Sequence, residues 1–165
     1  MARSDPMDAA GFRRIMSCFA TGVTVVTTAV DGKLHGITVN SLTSVSLHPL
    51  LLLVCIDREA EAHRQIEGSV RFAVNFLGAG QEGISRIFAA KGEPEDGHLR
   101  GVPFRMGTNG TPLLEGCLAH LECAVVERYP GGDHTIFIAS ALGGELQRND
   151  APLLFYRGQY LRMET

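Results

Sequence analysis

Short turns connect most of the extended segments in this chain, and they exclude most ways of building a sheet. Residues 22–30 read GVTVVTTAV, dense in β-branched side chains, and Asp31-Gly32 turns the chain straight back into a second extended stretch over 34–47. Pro49 separates that stretch from the run LLLLVCI at 50–56, which reads as a buried strand. VRFAVNFL at 70–77 alternates as a strand. Two more strands, 117–129 and 135–146, are joined by Pro130-Gly131-Gly132-Asp133, and 152–162 ends the chain as a last one. Parallel neighbours need a long crossover, so about seven strands joined this tightly predict an antiparallel barrel.

Helices belong at the edges of that sheet. Over 8–19, Phe12, Ile15, Met16 and Phe19 recur at helical spacing opposite Arg13, Arg14 and Ser17. The segment 58–67 is polar and helix-prone, and in 81–90 Ile84, Ile87 and Phe88 form the inner face of a short helix. The charged, glycine-rich stretch 93–110 lacks periodicity and reads as a mobile loop. At 165 residues the chain has the length of one domain, 1–165, and 45% hydrophobic with 20% charged residues is a globular rather than a disordered composition.

Several function classes drop out. A net charge of −3, with no cationic run longer than Arg13-Arg14, leaves no footprint for nucleic acid or an anionic membrane. The longest apolar run is far short of the ~20 residues of a membrane helix, and the N-terminus has no apolar signal region, so a cytoplasmic protein is expected. Cys18, Cys55, Cys117 and Cys123 show no C-x-x-C spacing, which reads as buried free thiols and no metal site. GAGQEG at 78–83 matches the dinucleotide pattern G-x-G-x-x-G, after a strand and before a helix. The KGEPEDGHLRG that follows Ala90 supplies no second parallel strand ahead of its acidic residues. The glycines therefore read as a strand-to-helix turn, and a Rossmann-type dehydrogenase built on them is the reading to exclude.

The stretch TVNSLTSVSLHP at 38–49 is unusual in a different way. On one continuous strand, Thr38, Asn40, Ser44 and Ser46 share a face with Leu42, while Val39, Ser41, Thr43, Val45 and Leu47 share the other. Neither face is charged. Short neutral donors and acceptors at fixed positions suit a hydroxyl-rich edge strand or the rim of a flat heteroaromatic ring. Downstream, Cys55 to His63 leads into a helix whose first N–H groups, with Arg58 and His63, suit a phosphate or a solvated first turn. Ser85 and Arg86 carry the same alternatives.

Five blocks together resemble the flavin reductase family with the FMN-binding split-barrel fold, the small reductase components of two-component monooxygenases. They are FATGVTVVT (19–27), GITVNSLTSVSL (36–47) with Pro49, ISRIFA (84–89), GDHTIF (132–137) and LFYRGQY (154–160). The resemblance implies a mainly β fold with flanking helices, an antiparallel Greek-key split β-barrel. It implies that Thr38, Asn40, Ser41, Ser44, Val45 and Ser46 line the isoalloxazine ring. Cys55, Asp57, Arg58 and His63, with Ser85 and Arg86, would handle the ribityl phosphate. His134 of the G-D-H motif would lie near the nicotinamide, with Tyr156 and Arg157 as candidate neighbours. The implied activity is hydride transfer from NADH or NADPH to FMN or FAD, supplying reduced flavin to a partner monooxygenase, and the implied assembly is a homodimer. A non-catalytic flavin- or heme-binding carrier or sensor on the same barrel is the alternative. Three features depart from the family. Glu59, Glu61 and His63 stand where Ser or Thr is usual, the loop at 93–100 lacks Asp-Arg-Phe, and Ala139-Ser140 replaces Gly-Arg or Gly-Glu.

Overall fold

A computed structural model describes residues 6–92 and 98–163. Three helices, α1 (Ala9–Met16), α2 (Glu61–Ser69) and α3 (Glu82–Ala89), accompany twelve strands among the described residues. The strands are β1 (Thr21–Gly22), β2 (Thr24–Val30), β3 (Lys33–Val39), β4 (Thr43–Leu47), β5 (Leu50–Asp57), β6 (Arg71–Phe76), β7 (Phe104–Met106), β8 (Pro112–Leu114), β9 (Ala119–Gly131), β10 (His134–Leu146), β11 (Leu154–Tyr156) and β12 (Gln159–Leu161). Seven of them form the main sheet, in the order β3-β2-β6-β9-β10-β5-β4, with every neighbour antiparallel.

The predicted continuous strand over 34–47 is two strands, and the break shapes the molecule. β3 lies at one edge of the sheet and β4 at the other, yet only Asn40, Ser41 and Leu42 join them. Such a link is too short to cross a flat sheet, so the sheet must curl until its edges approach. It does, and β3 comes to lie against β5. The seam between them is not a strand ladder. Ser41 closes it, its hydroxyl donating to the carbonyl of Cys55 at 2.7 Å and accepting from the Cys55 N–H at 3.2 Å. This is a split barrel, as the family resemblance implied.

One apolar cluster fills the barrel, with Val26, Val54, Ile56, Phe72, Val74 and Phe137 at its centre and Ile66 of α2 packed among them. A second, including Val25, Leu77, Leu114 and Leu153, lies on the other side of β2 and β6, where Phe88 of α3 and the 99–114 segment cover it. β2 is therefore buried on both faces over residues 24–28, which explains the β-branched residues there. β5 is the reverse case. Its apolar run reads as wholly buried, but only Leu52, Val54 and Ile56 are, because just one face of β5 looks into the barrel.

Other expectations need correction. The last strand is a hairpin, β11 and β12, turning on Arg157 and Gly158, both with positive φ (48° and 77°). That is the same backbone geometry as the correctly expected Asp31-Gly32 turn (49° and 77°), here with an arginine at the first position. The predicted loop 93–110 lies outside the described residues over 93–97. Beyond them it carries a 3₁₀ turn at Leu99–Gly101 and strand β7, paired with β8. The inner face of α3 is narrower than expected, since Ile87 is 37% exposed. Cys117 and Cys123 are buried, and burial pushes their thiols up to about 11 and about 12, but Cys18 is exposed and Cys55 half-buried. The glycine-rich segment 78–83 begins with a turn anchored by the side chain of Gln81: its Oε1 accepts from the Gly78 N–H at 2.9 Å and its Nε2 donates to the Glu115 carbonyl at 3.2 Å. β6 before them has only antiparallel neighbours, so no Rossmann unit exists there.

The two cores are joined by a buried amide. Asn75 donates to the Val25 carbonyl and the Thr27 hydroxyl, both at 2.9 Å, and accepts from the Leu114 N–H at 2.8 Å. Replacing Asn75 by Ala leaves three partners short of a bond in a site without solvent. The expected loss of unfolding free energy in a denaturant titration is about 2–4 kcal/mol, and a loss under ~1 kcal/mol would contradict this role.

Candidate functional site

The seam gathers much of what the sequence singled out. Thr38, at the end of β3, donates to the Ser85 carbonyl at 2.6 Å, and the Ser85 hydroxyl bonds Tyr160 Oη at 2.8 Å. The Arg86 guanidinium lies 4.9 Å over the Tyr160 ring and pairs with Glu82 at 2.7 Å. Asn40 Nδ2 donates to the Thr21 hydroxyl at 3.2 Å, and Thr21 pairs with Phe155 in β11. Thus β3, the crossing, α3 and the C-terminal hairpin form one connected polar wall.

Ser44, Val45 and Ser46 follow on β4, but not in the alternation expected of them. A bulge at Val45 lets Ser44 face Leu52 and Ser46 face Leu51, so these side chains do not extend the Thr38 face in simple register. Ser46 accepts from the His48 N–H at 3.1 Å, whereas Ser44 and the Asn40 Oδ1 have no partner among the described residues. Ser41 is committed to the seam, and Cys55 takes part through its backbone rather than its thiol.

At the far end of β5, Asp57 pairs across the sheet with His134, the first residue of β10. The Arg58 N–H donates to the Asp133 carbonyl at 3.1 Å, which holds the start of the α2 segment against this turn. His134 Nδ1 lies 2.7 Å from Asp133 Oδ1. The hydrogen bond from His134 holds the exposed Asp133 carboxyl below its usual range, so the carboxylate is ionised and can only accept, and Nδ1 carries the proton. His134 Nε2 is left outward on a side chain that is 42% exposed. Tyr156 and Arg157 sit at the tip of the C-terminal hairpin, the guanidinium 5.3 Å over the ring, with the Arg157 N–H bonded to the Ser17 carbonyl.

Two expected phosphate ligands turn inward instead. Ser85 is fully buried and bonded to Tyr160. His63 is 6% exposed, its Nε2 lying 2.8 Å from the Thr135 hydroxyl and its ring edge-on to Phe137 at 5.5 Å. A helix-start position looks solvated in sequence, but α2 packs on β2, β3 and β6, and the fourth position of the 60–63 turn faces the barrel. Tyr160, Thr21 and Asp133 are the residues that sequence reasoning left unassigned. All three lie inside a block that was recognised, and the pairing with a neighbour is what singles them out.

Comparison with known proteins identifies the family and the fold. The flavin reductase like domain matches residues 16–164. An NADH-dependent FAD reductase of Streptomyces globisporus is 40% identical over 160 residues, covering 96% of this chain and 87% of that protein. The reductase subunit HsaB of a flavin-dependent monooxygenase from Mycobacterium tuberculosis is 36% identical over 163 residues, covering 98% and 86%. Among solved structures, an NADH:FAD oxidoreductase of Streptomyces globisporus in complex with NAD and FAD fragments superposes with a TM-score of 0.90 at 39% identity, covering 99% of this chain and 98% of that one. The class is a split-barrel flavin reductase. This chain belongs to the flavin reductase family.

Placing His63 inside the barrel has a measurable consequence. His63→Ala should cost about 2–3 kcal/mol of stability through the lost packing and the unpaired Thr135 hydroxyl, while the ratio of FMN to riboflavin affinity stays unchanged. A collapse of that ratio in a variant of unchanged stability would return His63 to the phosphate.

Proposed function

We propose that the chain is an NAD(P)H:flavin oxidoreductase, a single flavin reductase-like domain that reduces FMN or FAD with NADH or NADPH and passes reduced flavin to a partner monooxygenase. The observation that carries this reading is the neutral polar crossing at the barrel seam, with His134 held by Asp133 at the end of the neighbouring β5–β10 ladder. The donor set fits a flavin. Asn40 Oδ1 and the Ser44 hydroxyl are unpaired among the described residues, short and uncharged, as the carbonyl and N–H edges of a desolvated ring require. The relatives' names, an NADH-dependent FAD reductase and a monooxygenase reductase subunit, support the same activity and the same class of partner.

Bound flavin would supply the two-electron chemistry, as the acceptor of a hydride from a nicotinamide nucleotide. The protein's task is then to hold and shield. Asn40 and Ser44, whose Oδ1 and hydroxyl are unpaired among the described residues, would meet the ring edge beside Val45, while Thr38, Ser41 and Ser46 are bonded within the protein and hold that edge in place; a donor there would stabilise the negative charge that reduction places on the ring. Arg86, fixed over Tyr160, and Arg58 are candidate cations for the phosphate end. His134 Nε2, with Nδ1 anchored, is free to accept from the nicotinamide carboxamide, and Tyr156 and Arg157 remain candidate neighbours of the nicotinamide by family resemblance. No proton is moved by this arrangement, and none is needed for hydride transfer.

No helix of the described residues is long and apolar enough to cross a membrane, and we place the protein in the cytoplasm. The homodimer is supported by an apolar surface without cover: Phe12, Ile15, Met16 and Phe19 on and after α1, which buries no residue, and Leu47 and Leu50 at the β4–β5 turn. Sedimentation equilibrium should give twice the 17.8 kDa chain mass, and a species at 17.8 kDa removes the dimer from this reading.

Anaerobic mixing with FMN or FAD and either nicotinamide nucleotide should bleach the flavin absorbance. No bleaching with any pair leaves the carrier or sensor reading. His134→Ala should lower kcat/KM for the nucleotide by about 10-fold or more, the size of one lost positioning contact, with flavin affinity within about 3-fold of the original. Equal losses in both would take His134 out of the nicotinamide site.

A further inference from the structure

His63 and Thr135 form a hydrogen-bonded pair inside the barrel that the proposed chemistry leaves unused. His63 Nε2 lies 2.8 Å from Thr135 Oγ1, and the two residues are 6% and 7% exposed. The hydroxyl has no other partner among the described residues, and the Glu67 carboxylate, one helical turn on, lies 3.8 Å from the same nitrogen, beyond hydrogen-bonding distance. The position asks for no polar group. Ile66 of the same helix and Phe137 of the same strand belong to the apolar core, so an apolar pair at 63 and 135 would fill this space with no bond to satisfy. An apolar contact tolerates sliding, whereas a hydrogen bond fixes one atom against another. What the pair adds is a defined register between α2 and β10.

That register bears on His134. Successive residues of a strand point to opposite faces, so Thr135 reaches into the barrel while the His134 side chain, next along β10, faces out. The segment leading into α2 grips the same turn at two further points: Asp57 pairs with His134 across the sheet, and the Arg58 N–H donates to the Asp133 carbonyl at 3.1 Å. Asp133 in turn holds His134 Nδ1 at 2.7 Å. Both supports of the imidazole, its own backbone and the Asp133 carboxylate, are therefore tied to the 57–63 segment. His63 is the end of that tie that is fixed in the molecule, because α2 packs on β2, β3 and β6. The β9 side gives the turn little support, since residues 126–131 are all exposed.

We propose that His63 and Thr135 are a positioning pair for His134: their bond sets where the start of β10 stands against α2, and so where His134 Nε2 meets the nicotinamide. The proposal rests on the reading of His134 given above and adds to it two residues that touch neither ring.

The kcat/KM for the nicotinamide nucleotide that the original protein oxidises, with flavin affinity from equilibrium calorimetry, tests it. Thr135→Val keeps the side-chain shape and removes the hydroxyl. Its kcat/KM should fall by about 5-fold or more, the size of one neutral hydrogen bond, with flavin affinity within about 2-fold of the original. Thr135→Ser keeps the hydroxyl and should stay within about 2-fold in both measurements. In a His134→Ala background, Thr135→Val should cost less than about 2-fold more, because a residue that acts through His134 has nothing left to place. His63→Phe combined with Thr135→Val guards against a variant that merely unfolds. With shape retained and no polar group stranded, it should melt within about 4 °C of the original protein and still show the loss in kcat/KM. Three results each overturn the proposal: an unchanged kcat/KM in Thr135→Val, the full fall repeated on top of His134→Ala, or an apolar pair as active as the original. Failure of the original protein to bleach any flavin removes the reductase reading itself, and an unimpaired His134→Ala removes the nicotinamide role of His134, and in either case the proposal falls with it.

Discussion

Three residues joining opposite edges of a seven-stranded sheet are the constraint on which this molecule depends. Six strand spacings laid flat span about 29 Å, whereas the backbone from Val39 to Thr43 reaches about 14 Å when fully extended. The sheet can keep its pairing order only by curling, and once curled it encloses the cluster around Val54, Phe72 and Phe137. Edges brought together in this way have no ladder to satisfy them. Ser41 supplies the missing bonds, taking both the N–H and the carbonyl of Cys55 with one hydroxyl.

On the proposed reading the same seam makes the site. A crossing that is not a strand exposes short polar groups at fixed positions, and here these are Asn40 and, beyond the link, Ser44. β5 runs from the crossing's neighbour at β4 to Asp57, and its ladder with β10 carries rigidity to His134. The chemistry suits such a frame. Hydride transfer between a nicotinamide and a flavin would ask the protein for accurate placement more than for an acid–base pair. His63, bonded to Thr135 one residue from His134, adds a buried strut between α2 and the start of β10.

How far the sequence revealed this varied with the physics of each element. The Asp31-Gly32 hairpin and the Pro130 to Asp133 turn were legible because glycine beside aspartate or proline announces a tight reversal. The Arg157-Gly158 turn was not, since its first position takes a positive φ with an arginine, which local preference does not advertise. The break at 40–42 was hidden because alternation continues through it on paper, and only the pairing of β3 with β2 and of β4 with β5 separates the halves. His63 illustrates the same limit for a side chain. Its position on a polar helix suggested solvent, and the packing of α2 against the barrel decided otherwise.

By itself the sequence determined the antiparallel character of the sheet, its hairpins, and the ordered blocks that mark the flavin reductase family, because these depend on turn chemistry, local periodicity and short motifs. The tertiary structure alone decided which polar side chains are spent on holding the barrel and which have no partner among the described residues. Ser41, His63 and Ser85 look in sequence like Asn40, Ser44 and Arg58. They differ in whether a distant backbone or side-chain group lies within hydrogen-bonding distance, and that is set by the closure of the sheet rather than by any neighbour in the chain.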